Sequence, residues 1–216
     1  MTRQEFLKIS TILGIGMPLS ASMVLCGDDP SPSNVDSVII IGAGAAGMSA
    51  GYLLQQKDIN YQIVEASTSY GGRMKKTDSF ADFPIPLGAE WLETGESEFD
   101  RIVNDSSVDL DLNMISYLAS ETNFYWNGNR LRKDTLGSVP PDKKFLNATW
   151  FDFFEQYVLP SVQSNIRLNT IAESIDYSGD QEAVRIRGGE TLRADKVIFT
   201  APLKQIQLGH ISFSPN

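Results

Sequence analysis

The chain has 216 residues, 42% of them hydrophobic and 21% charged, which is ordinary for a soluble fold and enough to bury a sizeable core. A net charge of −9 with no basic stripe excludes nucleic acid as the expected partner, because phosphate binding needs clustered Lys and Arg. A single cysteine, Cys26, excludes an internal disulfide and thiolate metal clusters. A single histidine, His210, reads as a solvated turn residue, and no metal site is expected.

Residues 1–26 read as an export signal. TRQEFLK is polar and basic, ISTILGIGMPLSASMVL carries no charge, and Gly14, Gly16 and Pro18 interrupt the apolar run, which suits a signal better than a spanning helix. TRQEFLK resembles the twin-arginine export pattern with Gln4 at the second Arg. MVLC resembles a bacterial lipobox with Leu25 where a small residue is usual. Export to a bacterial periplasm or cell envelope is expected, with membrane attachment through the N-terminus as a variant of it. An uncleaved anchor or a buried first helix is the alternative. Residues 27–34 are a linker rich in Pro, Ser and Asp.

From residue 35 the pattern changes. VDSVIII is a β-branched, uninterrupted run, as in a strand buried on both faces. GAGAAG follows, then a stretch of small and straight-chain residues at helical spacing, then NYQIVE as a second strand. This is the layout of a dinucleotide-binding βαβ unit. Gly42 permits the turn out of the strand, Gly44 lets the backbone approach a pyrophosphate, and Gly47 lets the helix pack closely. The backbone of Ala43, Ala45 and Ala46 belongs to the same cradle, at a helix start that offers unpaired N–H groups to phosphate. Glu65, followed by Ala66, ends the second strand where a ribose would be bound. The rival reading is a glycine turn without a ligand.

TSYGGRMKK and FPIPLGAEWLE come next. In that order they resemble the flavin-containing amine oxidase family, which includes monoamine, polyamine and L-amino-acid oxidases. The resemblance implies FAD as cofactor. It implies that Arg73 reaches the FAD phosphates, with Gly71 and Gly72 shaping its loop, and that Gly88, Ala89, Glu90 and Trp91 border the isoalloxazine ring. The first part of the FAD-binding domain is expected over 35–112.

Residues 113–165 read as a residual substrate-domain segment. Before it, ESEFDRIVND suggests a short amphipathic helix. TNFYWNGNRLR suggests a hairpin, with Asn127-Gly128 suited to a type I′ turn. WFDFFEQYVLP suggests a helix that Pro160 stops, its aromatic stripe facing the core or a partner surface. Residues 166–216 read as the second part of the FAD-binding domain. Short alternating strands turn at SGD and GG, and KVIFTAPL forms a core strand. By the same family resemblance, the backbone of Ala172 meets the adenine.

The expected fold is α/β: a Rossmann-like FAD/NAD(P)-binding domain with a parallel sheet, a small antiparallel β element, and a substrate domain largely missing. Family members continue well past HISFSPN, so a truncated or internally shortened member is expected. The resemblance implies oxidation of a C–N bond in a small-molecule amine by hydride transfer to flavin N5, with reoxidation by oxygen. No residue is assigned as a catalytic acid or base. The alternatives are a related flavin desaturase of the carotenoid or porphyrinogen type, and a non-catalytic or split FAD-binding fragment whose partner chain supplies the missing FAD segment.

Overall fold

The computed structural model describes residues 35–92, 113–117, 123–134 and 142–215. The expected signal and linker, and the helix read at 96–105, lie outside the described residues. In chain order the first elements are β1 (Ser37–Ile41), α1 (Ala45–Gln55), β2 (Asn60–Val64), β3 (Lys76–Thr77), β4 (Ile85–Pro86) and β5 (Trp91–Leu92). Then come β6 (Asn113–Tyr117), β7 (Asn123–Trp126), β8 (Leu131–Asp134) and β9 (Asp142–Leu146). A helical run over 150–165 follows, and then β10 (Ile166–Arg167), β11 (Ala172–Asp176), β12 (Glu182–Ile186), β13 (Thr191–Ala194) and β14 (Lys196–Phe199). A short helix α2 (Leu203–Gln207) and β15 (Ser212–Ser214) complete the order.

The central sheet is parallel, in the order β10-β2-β1-β14. Its middle strand explains the uninterrupted apolar run. Alternate residues point to opposite faces. Val38 and Ile40 enter one core with Met48 and Ile63, whereas Ile39 and Ile41 enter a second core with Ile175 and Val184. KVIFTAPL supplies β14, which pairs in parallel with β1, but among the described residues it is an edge strand of this sheet, with Val197, Ile198 and Phe199 half-buried rather than in the centre of the core.

α1 covers the first face. It lies close to the sheet at Gly51, where a Cβ would lie 2.8 Å from the Tyr61 ring and 3.0 Å from Ile63 Cδ1. The helical run over 150–165 packs on the same face, with Phe153, Phe154, Val158, Leu159 and Val162 buried in one core with Met48 and Ile63. The segment read as residual substrate domain therefore contributes core to the nucleotide-binding sheet. Thr149 starts this run with a capping box: its hydroxyl accepts from Phe151 N and its own N–H donates to Asp152. Pro160 does not stop the helix, contrary to the sequence expectation. The turn at Phe154–Val158 widens to a π-helix, and Leu159–Val162 continues with Pro160 in its first turn. Proline is tolerated at a helix start, where its missing N–H would be unsatisfied anyway.

The second sheet has the order β13-β12-β11-β15. β11, β12 and β13 form the expected antiparallel meander, and the GG turn places Gly188 and Gly189 at φ +101° and +99°. β15 returns parallel to β11, so the small sheet is mixed rather than purely antiparallel. Elsewhere β9 pairs with β5 and β6. β7 and β8 form the expected hairpin, but its turn sits one residue later than read. Asn127 N donates to the Arg130 carbonyl, and Gly128, at φ +96°, is the only turn residue with positive φ. A type I′ turn needs positive φ at both central residues.

Candidate functional site

The described residues enclose a cavity of about 1180 Å³ at the C-terminal ends of the parallel strands. In open α/β sheets this is where ligands bind. The volume exceeds the usual range of roughly 300–1,000 Å³ for small-molecule pockets.

The floor is the glycine turn. Gly42 has φ +105°, donates its N–H to the Val64 carbonyl at 2.8 Å, and has Thr200 Oγ1 at 2.9 Å from where a Cβ would sit. A Cβ on Gly47 would lie 1.9 Å from the Gly42 carbonyl oxygen, so the close packing made by this glycine is against the turn itself. A Cβ on Gly44 would meet nothing nearer than Gly72 Cα at 4.0 Å, which leaves its face open. α1 has no side-chain cap and no acidic residue in its first turn. Gly44, Ala45 and Ala46 line the cavity at this uncapped end.

Glu65 stands at the edge of the turn. Its Oε2 accepts the Ala43 N–H at 2.8 Å, and its Oε1 accepts the Ser67 N–H at 2.9 Å and hydroxyl at 2.6 Å. A carboxylate has about four acceptor positions. The free one belongs to Oε2, on the cavity wall, where a ribose hydroxyl could donate. Glu65 is therefore a brace for the glycine turn as well as a ligand candidate, which the sequence reading did not contain.

The GGR loop docks on the turn. Gly71 N–H donates to the Ala43 carbonyl at 2.8 Å, and Gly72, at φ +54°, faces Gly44. Arg73 follows, exposed and lining the cavity. A Cβ on Gly88 would lie 2.0 Å from the Arg73 carbonyl, to which Ala89 N–H donates at 3.0 Å. Met74, Leu87, Gly88 and Ala89 make that end of the cavity apolar.

Of the residues named from sequence, Gly42, Gly44, Ala45, Ala46, Glu65, Ala66, Gly72, Arg73, Gly88, Ala89 and Ala172 line one cavity. Ala43, Gly47 and Gly71 stand behind it and shape it. Glu90 and Trp91 are not brought to the lining. Glu90 pairs with Lys144, whose ammonium sits 3.7 Å from the Trp91 ring centroid, and the Trp91 carbonyl accepts from Trp150 Nε1. His210 corrects the sequence reading in the other direction. It is exposed as expected, yet it lines the cavity with Gln205, whose Oε1 lies 2.9 Å from its Nδ1. Thr170, Ile171 and Arg187 also line the cavity and carry no motif that marks them, and Thr200 joins them from the end of the KVIFTAPL stretch.

A family model described as an NAD(P)-binding Rossmann-like domain matches residues 40–105, and one described as flavin containing amine oxidoreductase matches residues 154–216. Polyamine oxidase 2 of Arabidopsis thaliana is 43% identical over 56 residues, covering 26% of this chain and 11% of that protein. L-amino-acid oxidase of Crotalus adamanteus is 33% identical over 101 residues, covering 47% and 19%. Lysine-specific histone demethylase 2 of Homo sapiens is 25% identical over 272 residues, covering 86% of this chain and 32% of that protein. The matches thus span about a third or less of these relatives' lengths. Wild-type putrescine oxidase bound to putrescine shares the fold, with a TM-score of 0.62 at 11% identity over 83% of this chain and 60% of that one.

The residues present fit FAD. The face of Gly44 is open, the start of α1 is uncapped beside it, Arg73 faces the same space, and Glu65 keeps one acceptor position free. These are the complements of a pyrophosphate and a ribose.

Proposed function

The chain belongs to the flavin-containing amine oxidase family, and on that footing we propose that it works as an FAD-dependent oxidoreductase acting on the C–N bond of a small amine. The observation that carries this reading is the convergence of the glycine turn, Glu65, Arg73 and Ala172 on one cavity. Bound FAD would supply a hydride acceptor at N5, so that a neutral amine leaves as its imine and oxygen takes the electrons as peroxide.

The chain's own residues bind and orient. The start of α1 and the Arg73 guanidinium offset the pyrophosphate charge. The free acceptor position of Glu65 would take a ribose hydroxyl. Met74, Leu87 and Ala89 give the opposite end an apolar wall, against which the ring would lie. Within the described residues no side chain of the cavity is assigned a proton-transfer role. Product imine hydrolyses in solution.

Exposed Leu87 and Leu203 on the cavity wall, 62% and 66% accessible, favour a second reading in which another polypeptide covers the site. Export through residues 1–26 remains part of the proposal, read from their composition.

The test is the visible spectrum of purified protein after incubation with FAD and desalting, followed by anaerobic addition of primary amines and diamines. Retained flavin bands that bleach with an amine are expected. A folded but colourless protein would sink the stand-alone oxidase and leave the covered-site reading.

A further inference from the structure

We propose that His210 and Arg187 flank the adenine of the bound nucleotide, with His210 as the main stacking surface of that end of the cavity. The proposal rests on the cavity being the FAD site, as argued above. A pyrophosphate at the start of α1 and a ribose at Glu65 fix the direction of the adenosine half. It runs past Glu65, away from Arg73 and Gly88. The segment on that side is tied to Glu65, because Thr170 N–H donates to the Glu65 carbonyl at 2.8 Å. It leads directly into Ala172 at the start of β11.

Two strands bring planar groups to Ala172. β15 pairs in parallel with β11 through Ser174 and Ser212, and this register, continued toward the strand starts, brings His210 toward Ala172. Ile211, the next residue, is buried in the same core as Ala172. On the other side Ala172 pairs with Ile186, and Arg187 N–H donates to the Ile171 carbonyl at 2.8 Å. Both residues line the cavity, and each side chain has a holder. Gln205 lies 2.9 Å from the imidazole, and Glu173 accepts from Arg187 Nε at 2.9 Å. An imidazole and a guanidinium are both flat faces suited to a purine.

The test uses the whole protein and three probes: FAD, ADP and FMN, with affinities measured by flavin fluorescence and calorimetry. FMN lacks the adenine. His210→Ala should weaken FAD and ADP by the same factor, about fivefold or more, and leave FMN unchanged. His210→Phe should restore most of the loss, because it keeps a flat face without the Gln205 contact. Arg187→Ala should weaken ADP in the same direction. His210 and Arg187 are exposed, so circular dichroism should match wild type in all three variants. ADP bound equally by wild type and His210→Ala overturns the proposal, and so does a wild type that binds no ADP. Binding of ADP without FAD would support the adenine site while the oxidase reading fails.

Discussion

Glu65 should be worth measuring in protein that has never seen a nucleotide. Its carboxylate holds three donors: the Ala43 N–H at 2.8 Å, and the Ser67 N–H and hydroxyl at 2.9 and 2.6 Å. Ala43 is fully buried, so its N–H has no water to turn to when the carboxylate is removed. An orphaned buried donor costs about 1–3 kcal/mol, whereas the half-buried Ser67 can be resolvated. Glu65→Ala should therefore cost roughly 2 kcal/mol in the cofactor-free state. Glu65→Gln should cost less, about 1 kcal/mol, because its single oxygen will turn to Ala43 and give the amide to the Ser67 hydroxyl. For a chain of this length, each kcal/mol moves Tm by about 2–4 °C. Thermal unfolding of the apo protein should thus fall by roughly 4–8 °C for Ala and about half as much for Gln. FAD affinity should drop about tenfold for Gln, as a charged acceptor becomes neutral. If both variants weaken FAD but leave the apo Tm at the wild-type value, Glu65 is a ligand only and the bracing argument is wrong.

Gly47→Ala should destabilise by about 2–3 kcal/mol and abolish FAD retention, because its Cβ would lie 1.9 Å from a backbone carbonyl that cannot move without opening the turn. Gly51→Ala has its nearest contacts with side-chain atoms at 2.8–3.0 Å and gains helix propensity, so its unfolding free energy from urea titration should stay within about 1 kcal/mol of wild type. Arg73→Lys should leave Tm unchanged, since Arg73 is exposed, and weaken FAD about tenfold by replacing a bidentate fork with a point charge, read after desalting. Asp152 gives a pH prediction. Burial raises its pKa, but the bonds from Lys76 and Thr149 outweigh this and hold it below 3.8. The lowered folded value means that its stabilisation is present above 3.8 and is lost as pH falls through the folded pKa. Asp152→Asn should flatten the acid limb of a Tm-versus-pH curve, and an unchanged limb would rule this contribution out.

The βαβ unit was legible because its determinants are local. A strand, a turn that needs glycine and a small-residue helix lie within one stretch, and Glu65 follows at the end of the next strand. The docking of the GGR loop on that turn was half legible: Gly71, Gly72 and Arg73 stood out, but the bond from Gly71 to Ala43 joins segments whose pairing no local pattern encodes. Pro160 misled because a π turn upstream lets the helix run through it, and the widening has no sequence mark in FFEQYVLP. Glu90 and Trp91 were placed by family order alone, and the pairing of β5 with β9 takes them to Lys144 and Trp150 instead. His210 was missed because its position depends on the parallel return of β15, through the pairing of Ser174 with Ser212, which are far apart in the sequence.

The two ends of the cavity are built differently, and this bears on where binding energy should reside. At the nucleotide end the segments carrying Ala43, Glu65, Gly71 and Thr170 are joined by backbone and carboxylate hydrogen bonds within the protein. That half is held in place before any ligand arrives, so binding there orders little and keeps most of its interaction energy. At the other end the lining comes from Met74 and the short stretch from Leu87 to Ala89, with Leu87 exposed. An apolar wall open to water on one side contributes less burial per unit of ring surface. ADP should therefore bind with an affinity close to that of FAD, and FMN far more weakly. A polypeptide that covered Leu87 would strengthen FAD without strengthening ADP, because it would bury only the ring.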